Sequence, residues 1–385
     1  MWWSGALQDH QSAMVGAIDS LCAKYVTDAD CERWDREHSY PQEAMSALAA
    51  GGWAALPVAE EYGGAGAPAL DLAIVHQALG RRSLAVAQAY YSLWVLGADA
   101  IQRLGNSEQK RTWLERSARG DAAIAFALTE PGSGSDAAAL RTRGVRDGED
   151  FRVSGQKVFI TGALHADRII TAVRTSAAER KQGGISLLMI DPSAPGVTVR
   201  PLTKIGLHAL DLCEVFLDEV RVPQTELLGK PEGGWQDLSD GLARERLYLA
   251  AISLGALTDL IGRVIEYAGT RETFGRPIGG HQLVADKIVR MRVAADAGAG
   301  LVRSAAELVD ACAPDAAAAA AVAKLFVTDA YISATRHATQ VFGGYGFIED
   351  YPVARHYRDC KYLEVGGGTS EIQTIVIARS MGLAV

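Results

Sequence analysis

The sequence predicts an α+β chain in which a helical segment, an antiparallel β segment and a second helical segment follow in order, and three observations carry that reading. Apolar residues recur at three- and four-residue spacing from about residue 5 to 119. Short runs of β-formers separated by turn residues occupy 120–232. From about 233 the helical spacing returns in long stretches. The expected domains are therefore 1–119, α-helical; 120–232, antiparallel β; and 233–385, a helical bundle.

Within the first domain, PQEAMSALAAGGWAAL and SEQKRTWLERSARG read as helices, and Asn106-Ser107 ahead of Glu108 and Gln109 reads as a helix start. The glycine-rich EEYGGAGAPAL between them reads as a turn. The β segment offers AAIAFALTE, FRVSGQKVFITG, DRIITAVRT, ISLLMIDP, VTVRPL and CEVFLDEVRVP, with Asp147-Gly148 and Ser154-Gly155 as punctuation. The last domain opens with a helix from roughly Leu238 to Arg271, about 50 Å long at 1.5 Å per residue. Further on, DAAAAAAVAK at 315–324 has strong intrinsic helix propensity. There is no internal repeat and no heptad series.

Composition narrows the function classes. The 385 residues are 49% hydrophobic and 22% charged, ordinary figures for a globular protein large enough to build cores without metal or disulfide staples. A net charge of −8 and a pI near 5.6 argue against a broad nucleic-acid or anionic-membrane surface. Any anionic ligand must then be met by a few local Arg or Lys residues. The five cysteines, Cys22, Cys31, Cys213, Cys312 and Cys360, are far apart, with no CxxC pair and no Cys/His cluster at metal spacing. Reduced, mostly buried thiols in a cytoplasmic protein are expected. MWWSGALQDHQSA lacks the basic and apolar regions of a signal peptide, and the most apolar stretch, Leu247 to Ile261, is interrupted by Asp259, so no membrane span is expected.

Four stretches stand out as carriers of chemistry: LTEPGSGSD at 128–136, KVFITG at 157–162, RETFGRPIGGHQ at 271–282, and QVFGGYGF at 340–347 with GGGTSEIQ at 366–373. The first combines hydroxyls with glycines that let backbone N–H groups approach a ligand. It contains neither GxGxxG nor GxxxxGK[ST], which excludes the usual dinucleotide and P-loop readings. Taken singly, each stretch is equally readable as a glycine-rich turn, a helix cap or a solvated helix end.

In combination and order, these stretches and the Y-R-D-x-K tract at 357–361 resemble the acyl-CoA dehydrogenase family over nearly the whole chain. The resemblance implies an N-terminal α domain, a middle β domain and a C-terminal four-helix bundle, with FAD between the last two. It places Phe126, Leu128, Thr129, Gly134 and Ser135 along the flavin, with Ser135 also reaching its phosphates or the acyl-CoA. Phe159, Ile160 and Thr161 match the W-I-T segment behind the flavin, with Phe159 in place of the usual Trp and Thr161 donating near N5. Arg271, Phe274, Gln282, Gln340, Val341, Gly343 and Gly344 match the groups that hold the FAD pyrophosphate and adenosine from a neighbouring subunit, with Thr369 and Glu371 on the adenosine side. Such a shared site implies a homo-oligomer, in this family usually a dimer of dimers.

The family's reaction removes a proton from Cα of an acyl thioester while hydride passes from Cβ to flavin N5. It therefore needs a positioned carboxylate. In most members that carboxylate directly precedes the C-terminal G-T, a position held here by Gly367. The isovaleryl-CoA and long-chain acyl-CoA dehydrogenases take the base instead from the long helix, in an L-x-x-E-R-L context. This chain reads Leu242-Ala243-Arg244-Glu245-Arg246-Leu247 there, which makes Glu245 the expected base. Gly366, Gly367 and Gly368 would leave a gap for it, with Leu242 and Arg246 beside the substrate.

The implied function is FAD-dependent α,β-dehydrogenation of an acyl-CoA or carrier-protein thioester, with an electron-transfer flavoprotein or another acceptor as redox partner. Two alternatives follow from Gly367: an inactive FAD-binding partner subunit, or a monooxygenase-like member of the fold. The family's GxRxSxT-like segment reads Gly206-Leu207-His208-Ala209-Leu210-Asp211, without the Arg and the hydroxyl, which puts its acyl-CoA contacts in question.

Overall fold

Side-chain caps from Thr27, Ser83 and Asn106 mark where three of the amino-terminal helices start. In the computed structural model, which describes residues 7–385, the amino-terminal helices are α1 (Asp9–Tyr25), α2 (Asp28–Glu37), α3 (Gln42–Ala50), α4 (Ala69–Arg82), α5 (Leu84–Tyr90), α6 (Leu96–Leu104) and α7 (Ser107–Ala118). Trp2 and Trp3, in the stretch read above for a signal peptide, lie outside the described residues. Thr27 with Asp30 and Asn106 with Gln109 form reciprocal capping boxes at α2 and α7. The helix expected across 41–56 is shorter, because Gly51-Gly52 stops α3 and Gly52 turns left-handed at φ 77°. Between α5 and α6 the chain makes one π turn, Tyr91–Val95.

The middle of the chain forms one eight-stranded sheet: β1 (Ile124–Ala127), β2 (Arg143–Asp147), β3 (Asp150–Thr161), β4 (Arg168–Arg174), β5 (Ile185–Ile190), β6 (Val197–Pro201), β7 (Leu212–Pro223) and β8 (Leu227–Leu228). The order is β6-β7-β3-β2-β4-β5-β8, with β1 beside β4. The hairpins are antiparallel as expected, whereas β1–β4 and β2–β4 pair in parallel. That follows from the order, since β3 lies on the far side of β2 and the chain returns to place β4 on the near side. Strand β2 escaped the sequence reading because four of its five residues face solvent, so no apolar run marks it. Asp147-Gly148 is the β2–β3 turn, but Ser154-Gly155 breaks nothing; it is a bulge inside β3, where the register against β7 shifts.

The carboxy-terminal part comprises α8 (Gly234–Thr270), a small hairpin β9 (Glu272–Thr273) and β10 (Arg276–Pro277), then α9 (Gln282–Asp310), α10 (Ala316–Phe342), α11 (Pro352–Val365) and α12 (Ser370–Ser380). α8, α9 and α10 pack together, and α11 and α12 lie against α10. α8 also crosses α4 at two glycines: a Cβ on Gly80 would stand 2.5 Å from the Ile252 carbonyl oxygen, and one on Gly255 2.2 Å from that of Gln77. Only glycine permits so close a crossing, which ties the first domain's helices to the site on α8.

Three helical stretches, Leu84–Leu104, Gly234–Thr270 and Ala316–Phe347, are long and apolar enough to cross a membrane by length and composition. The apolar stretch Leu247 to Ile261 lies inside the second of them. In this fold 89%, 78% and 44% of their most apolar windows are buried inside the protein. All five cysteines are unpaired, with Cys312 exposed and the others buried.

The departing segment 206–211 has a structural part to play. Leu207 N–H donates to Asp359 Oδ1 at 2.6 Å, and Arg358 donates to His208 Nδ1 at 3.2 Å and to Asp35. Residues of α2, the β domain and α11 therefore meet at one polar junction, which uses both the Arg and the Asp of Y-R-D-x-K.

Candidate functional site

Glu245 lies about three turns into α8 and, half-buried, faces the turn between α11 and α12. A Cβ built on Gly367 would stand 3.5 Å from its Cγ and 3.7 Å from its Cδ. Gly367 and Gly368 hold φ of 62° and 86°, so the turn bends away in a conformation suited to glycine and leaves room for the carboxyl. Burial pushes the Glu245 carboxyl above the usual range, with Arg246 and Lys324 opposing the shift. Arg244, the nearest alternative partner in sequence, is 3.7 Å from Asp99 instead. Arg246 is 6% exposed, its Nε has no hydrogen-bond partner among the described residues, and burial pulls its guanidinium down while Glu245 raises it.

Aromatic side chains surround this carboxyl. Buried Tyr91, in the π turn, and half-buried Tyr362, on α11, both feel its charge; desolvation pushes each phenol up, Tyr362 to about 12. Tyr362 shares a hydrogen bond with Thr161, which brings the end of β3 toward Glu245. The Tyr91 hydroxyl has no partner among the described residues. Tyr248, one turn on from Glu245, is stacked on His76 at 4.7 Å. Leu242 is half-buried on the same helix.

The 126–136 stretch is fixed from beneath by an ion pair that the sequence reading missed. Lys157, fully buried on β3, donates to Glu130 Oε1 at 2.8 Å and to the Leu128 carbonyl at 3.0 Å. The Glu130 carboxylate also accepts the backbone N–H groups of Arg141 and Thr142 at 2.6 and 2.9 Å. Burial works to raise Glu130, but Lys157 and these donors outweigh it and the net shift is downward; burial pulls Lys157 down to about 8. Above this anchor Thr129 C=O accepts Val158 N–H at 2.9 Å, Phe126 and Leu128 are half-buried, and Gly134 and Ser135 are exposed.

Next to the loop, Phe159 is 60% exposed at φ 62°, a left-handed conformation costly for an aromatic residue. It sits in a register break of β3 between Lys157 and Ile160. The bulge turns the ring out while Ile160, 2% exposed, points into the core and offers a ligand only its backbone. An outward aromatic face beside free hydroxyls and glycines with open space around them fits a planar aromatic cofactor with a phosphate tail.

A second group gathers at the other end of α8. Arg271 caps that helix and lies over the Tyr345 ring at 5.9 Å, beside Gly343 and Gly344, both exposed; Gln340 is exposed and Val341 buried. Phe274 is 97% exposed at φ 53°, and Gln282 opens α9. Among the described residues no hydrogen bond, ion pair or ring contact joins this group to Glu245. From 245 to 271 the helix spans about 39 Å at 1.5 Å per residue. Thr369 caps α12 and Glu371 follows in its exposed first turn, where Thr369 holds its carboxyl below the usual range.

Sequence signals for the missed residues are slight. Lys324 is a lone cation closing an alanine run, and Lys157 opens a segment already singled out; Tyr91 and Tyr362 have no local signature.

Comparison with known proteins agrees with this arrangement over almost the whole chain. Residues 8–121, 125–220 and 232–382 match the N-terminal, middle and C-terminal domains of acyl-CoA dehydrogenase. A Bacillus subtilis acyl-CoA dehydrogenase is 35% identical over 352 residues, 90% of this chain and 92% of that one. Butyryl-CoA dehydrogenase from Megasphaera elsdenii superposes with a TM-score of 0.94 at 28% identity, covering 98% of this chain and 99% of that chain. The FAD complex of PigA does so at 0.93 and 28% identity, covering 99% of each. The chain belongs to the acyl-CoA dehydrogenase family, is an enzyme of that family, and has FAD as its cofactor.

Proposed function

We propose that this enzyme removes the α-proton of an acyl thioester with Glu245 while the β-hydrogen leaves to the flavin. One observation carries the reading: Glu245 reaches the Gly367 turn, with its Cγ 3.5 Å and its carboxyl carbon 3.7 Å from the Gly367 Cβ position, in van der Waals contact. FAD, when bound, supplies the acceptor for the hydride. The chain's own residues do the rest. Glu245 takes the proton on a carboxylate oxygen, Arg246 and Lys324 favour its ionised form, and Tyr91 and Tyr362 stand near enough to feel its charge.

For the cofactor, Phe159 offers an apolar face, Thr161 a hydroxyl, and the loop at 129–135 its hydroxyls and N–H groups. Arg271, Gln282 and Gln340 to Gly344 would hold the pyrophosphate and adenosine of a neighbouring copy, because about 39 Å of helix separates them from their own Glu245. The working form is then a homo-oligomer, with a dimer of dimers the family's usual state. The unpaired cysteines support a cytoplasmic location, and an electron-transfer flavoprotein is the acceptor we favour.

The experiment is anaerobic bleaching of the purified holoenzyme by a panel of saturated CoA and carrier-protein thioesters. Wild type bleaches with at least one of them and Glu245→Gln does so about 10²–10⁴-fold more slowly. Normal bleaching by Glu245→Gln would remove Glu245 from the role. A chain that needs a homologous second subunit to bleach, or consumes oxygen with reduced flavin supplied in trans, would be the inactive partner or the monooxygenase instead.

A further inference from the structure

Among the described residues Lys324 is one of the largest fully buried side chains, on an α10 turn whose sequence is otherwise alanine and valine. An ammonium group taken out of water is costly unless its protons are used. Lys324 Nζ donates to the Glu364 carbonyl at 3.0 Å and the Gly368 carbonyl at 2.8 Å. The first belongs to the last turn of α11, where carbonyls lack intrahelical partners; the second closes the glycine turn ahead of α12. The two bonds clamp the turn at both ends, and they are charge-assisted, the stronger kind. From the other side Gln373 Nε2 donates to Gly367 and Gly368 carbonyls at 3.1 and 2.7 Å.

That clamped turn is the one whose shape makes room for Glu245. The charged and titratable groups facing Glu245 are Arg246 on its own helix, Lys324 from α10, Tyr362 from α11 and Tyr91 from the π turn. Burial pulls Lys324 down to about 8, while Glu245, Glu364 and Glu371 work to raise it. Arg246 and Lys324 are the two cations that oppose the burial of the carboxylate. Among the described residues no ion pair joins Lys324 to Glu245, so its charge acts through space while its protons serve the turn.

We propose that Lys324 is the positioning residue for Glu245: its ammonium group clamps the Gly366–Gly368 turn that makes room for the carboxyl, and its charge acts on that carboxyl through space. This rests on Glu245 being the base. The proposal separates two effects of one side chain. Lys324→Gln keeps an N–H donor and loses the charge; Lys324→Met loses both; Lys324→Arg keeps both in a bulkier form.

The test follows the Glu245 carboxyl itself, by infrared titration of the holoenzyme, with its band identified by its loss in Glu245→Gln. Lys324→Gln and Lys324→Met should raise its midpoint by about one pH unit, and Lys324→Arg should leave it close to wild type. In parallel, bleaching by the fastest of butyryl-, isovaleryl- and octanoyl-CoA should fall about tenfold near that midpoint in Lys324→Gln and recover at higher pH. Lys324→Met should lose rate without full recovery, because the turn is also released. An unmoved midpoint in Lys324→Gln overturns the proposal. Should Lys324→Met fail to fold, Lys324→Gln alone decides. If Glu245→Gln bleaches normally, the reading of the base falls, whereas the infrared midpoint still tests the coupling of Lys324 to Glu245.

Discussion

Gly367 and Glu245 lie in contact: a Cβ on Gly367 would stand 3.5 Å from Glu245 Cγ, and only 2.3 Å from Leu249 Cδ1. Gly367→Ala places a methyl group in that clash and on a backbone at φ 62°. The left-handed conformation costs about 1–2 kcal/mol and the overpacking about 1–3 kcal/mol more. Urea unfolding should show a loss in that range, and bleaching by the best thioester should slow because Leu249 and the turn must shift beside Glu245.

The pH dependence follows from the raised carboxyl of Glu245. As pH falls through that raised pKa the base becomes protonated, so the acid limb of flavin reduction should lie above the ordinary Glu value of about 4.3. The same shift has a stability consequence. A group whose folded pKa is raised stabilises the fold at low pH, and that contribution disappears as pH rises through the folded value. Glu245→Gln should therefore gain thermal stability relative to wild type on going from pH 5 to pH 8 while remaining nearly inactive. Calorimetry at the two pH values checks the sign.

Lys157 and Glu130 form a buried pair under the 126–136 loop, so removing one partner leaves an uncompensated charge. Lys157→Met should cost about 3–5 kcal/mol, and Lys157→Met with Glu130→Gln much less than the two single losses added together. A double-mutant cycle by urea unfolding, with FAD retention measured alongside, reads both the coupling and the loop's role in holding the cofactor.

Phe159 keeps a left-handed backbone and an exposed ring, two features the fold itself has no use for. Phe159→Gly should leave the apoprotein as stable as wild type or more so. An aromatic contact is worth about 0.5–1.5 kcal/mol, so FAD affinity should drop up to about tenfold. Flavin titration of the two apoproteins measures the difference.

Arg271 lies too far along α8 to serve the same subunit's Glu245. Glu245→Gln and Arg271→Ala should each be poorly active alone. Unfolded and refolded together, they should regain about a quarter of the wild-type sites in a randomly mixed dimer, since mixed pairs contain one complete site. No recovery would place Arg271 outside the shared site.

Much of this protein is written in local sequence. The 3.6-residue periods, the Thr27 and Asn106 caps, the β-former runs and the motif order sufficed for the α, β, α sequence and for FAD, because each is set by contacts within a few residues. The family context singled out Glu245 as the expected base. The parallel pairing of β4, the bulges at Gly155 and Phe159, and the crossing of α4 on α8 depend on which distant segments meet, and no short window contains that. The same holds for the site's supporting charges. Lys324 is 79 positions from Glu245, and Lys157 is 27 from Glu130. Sequence alone made Lys324 the end of an alanine helix; only the packing of α10 against the 366–368 turn removed it from water and gave its protons two carbonyls and its charge a carboxylate to act on. Burial is what converts an ordinary lysine into a site residue, and burial is a property of the assembled fold.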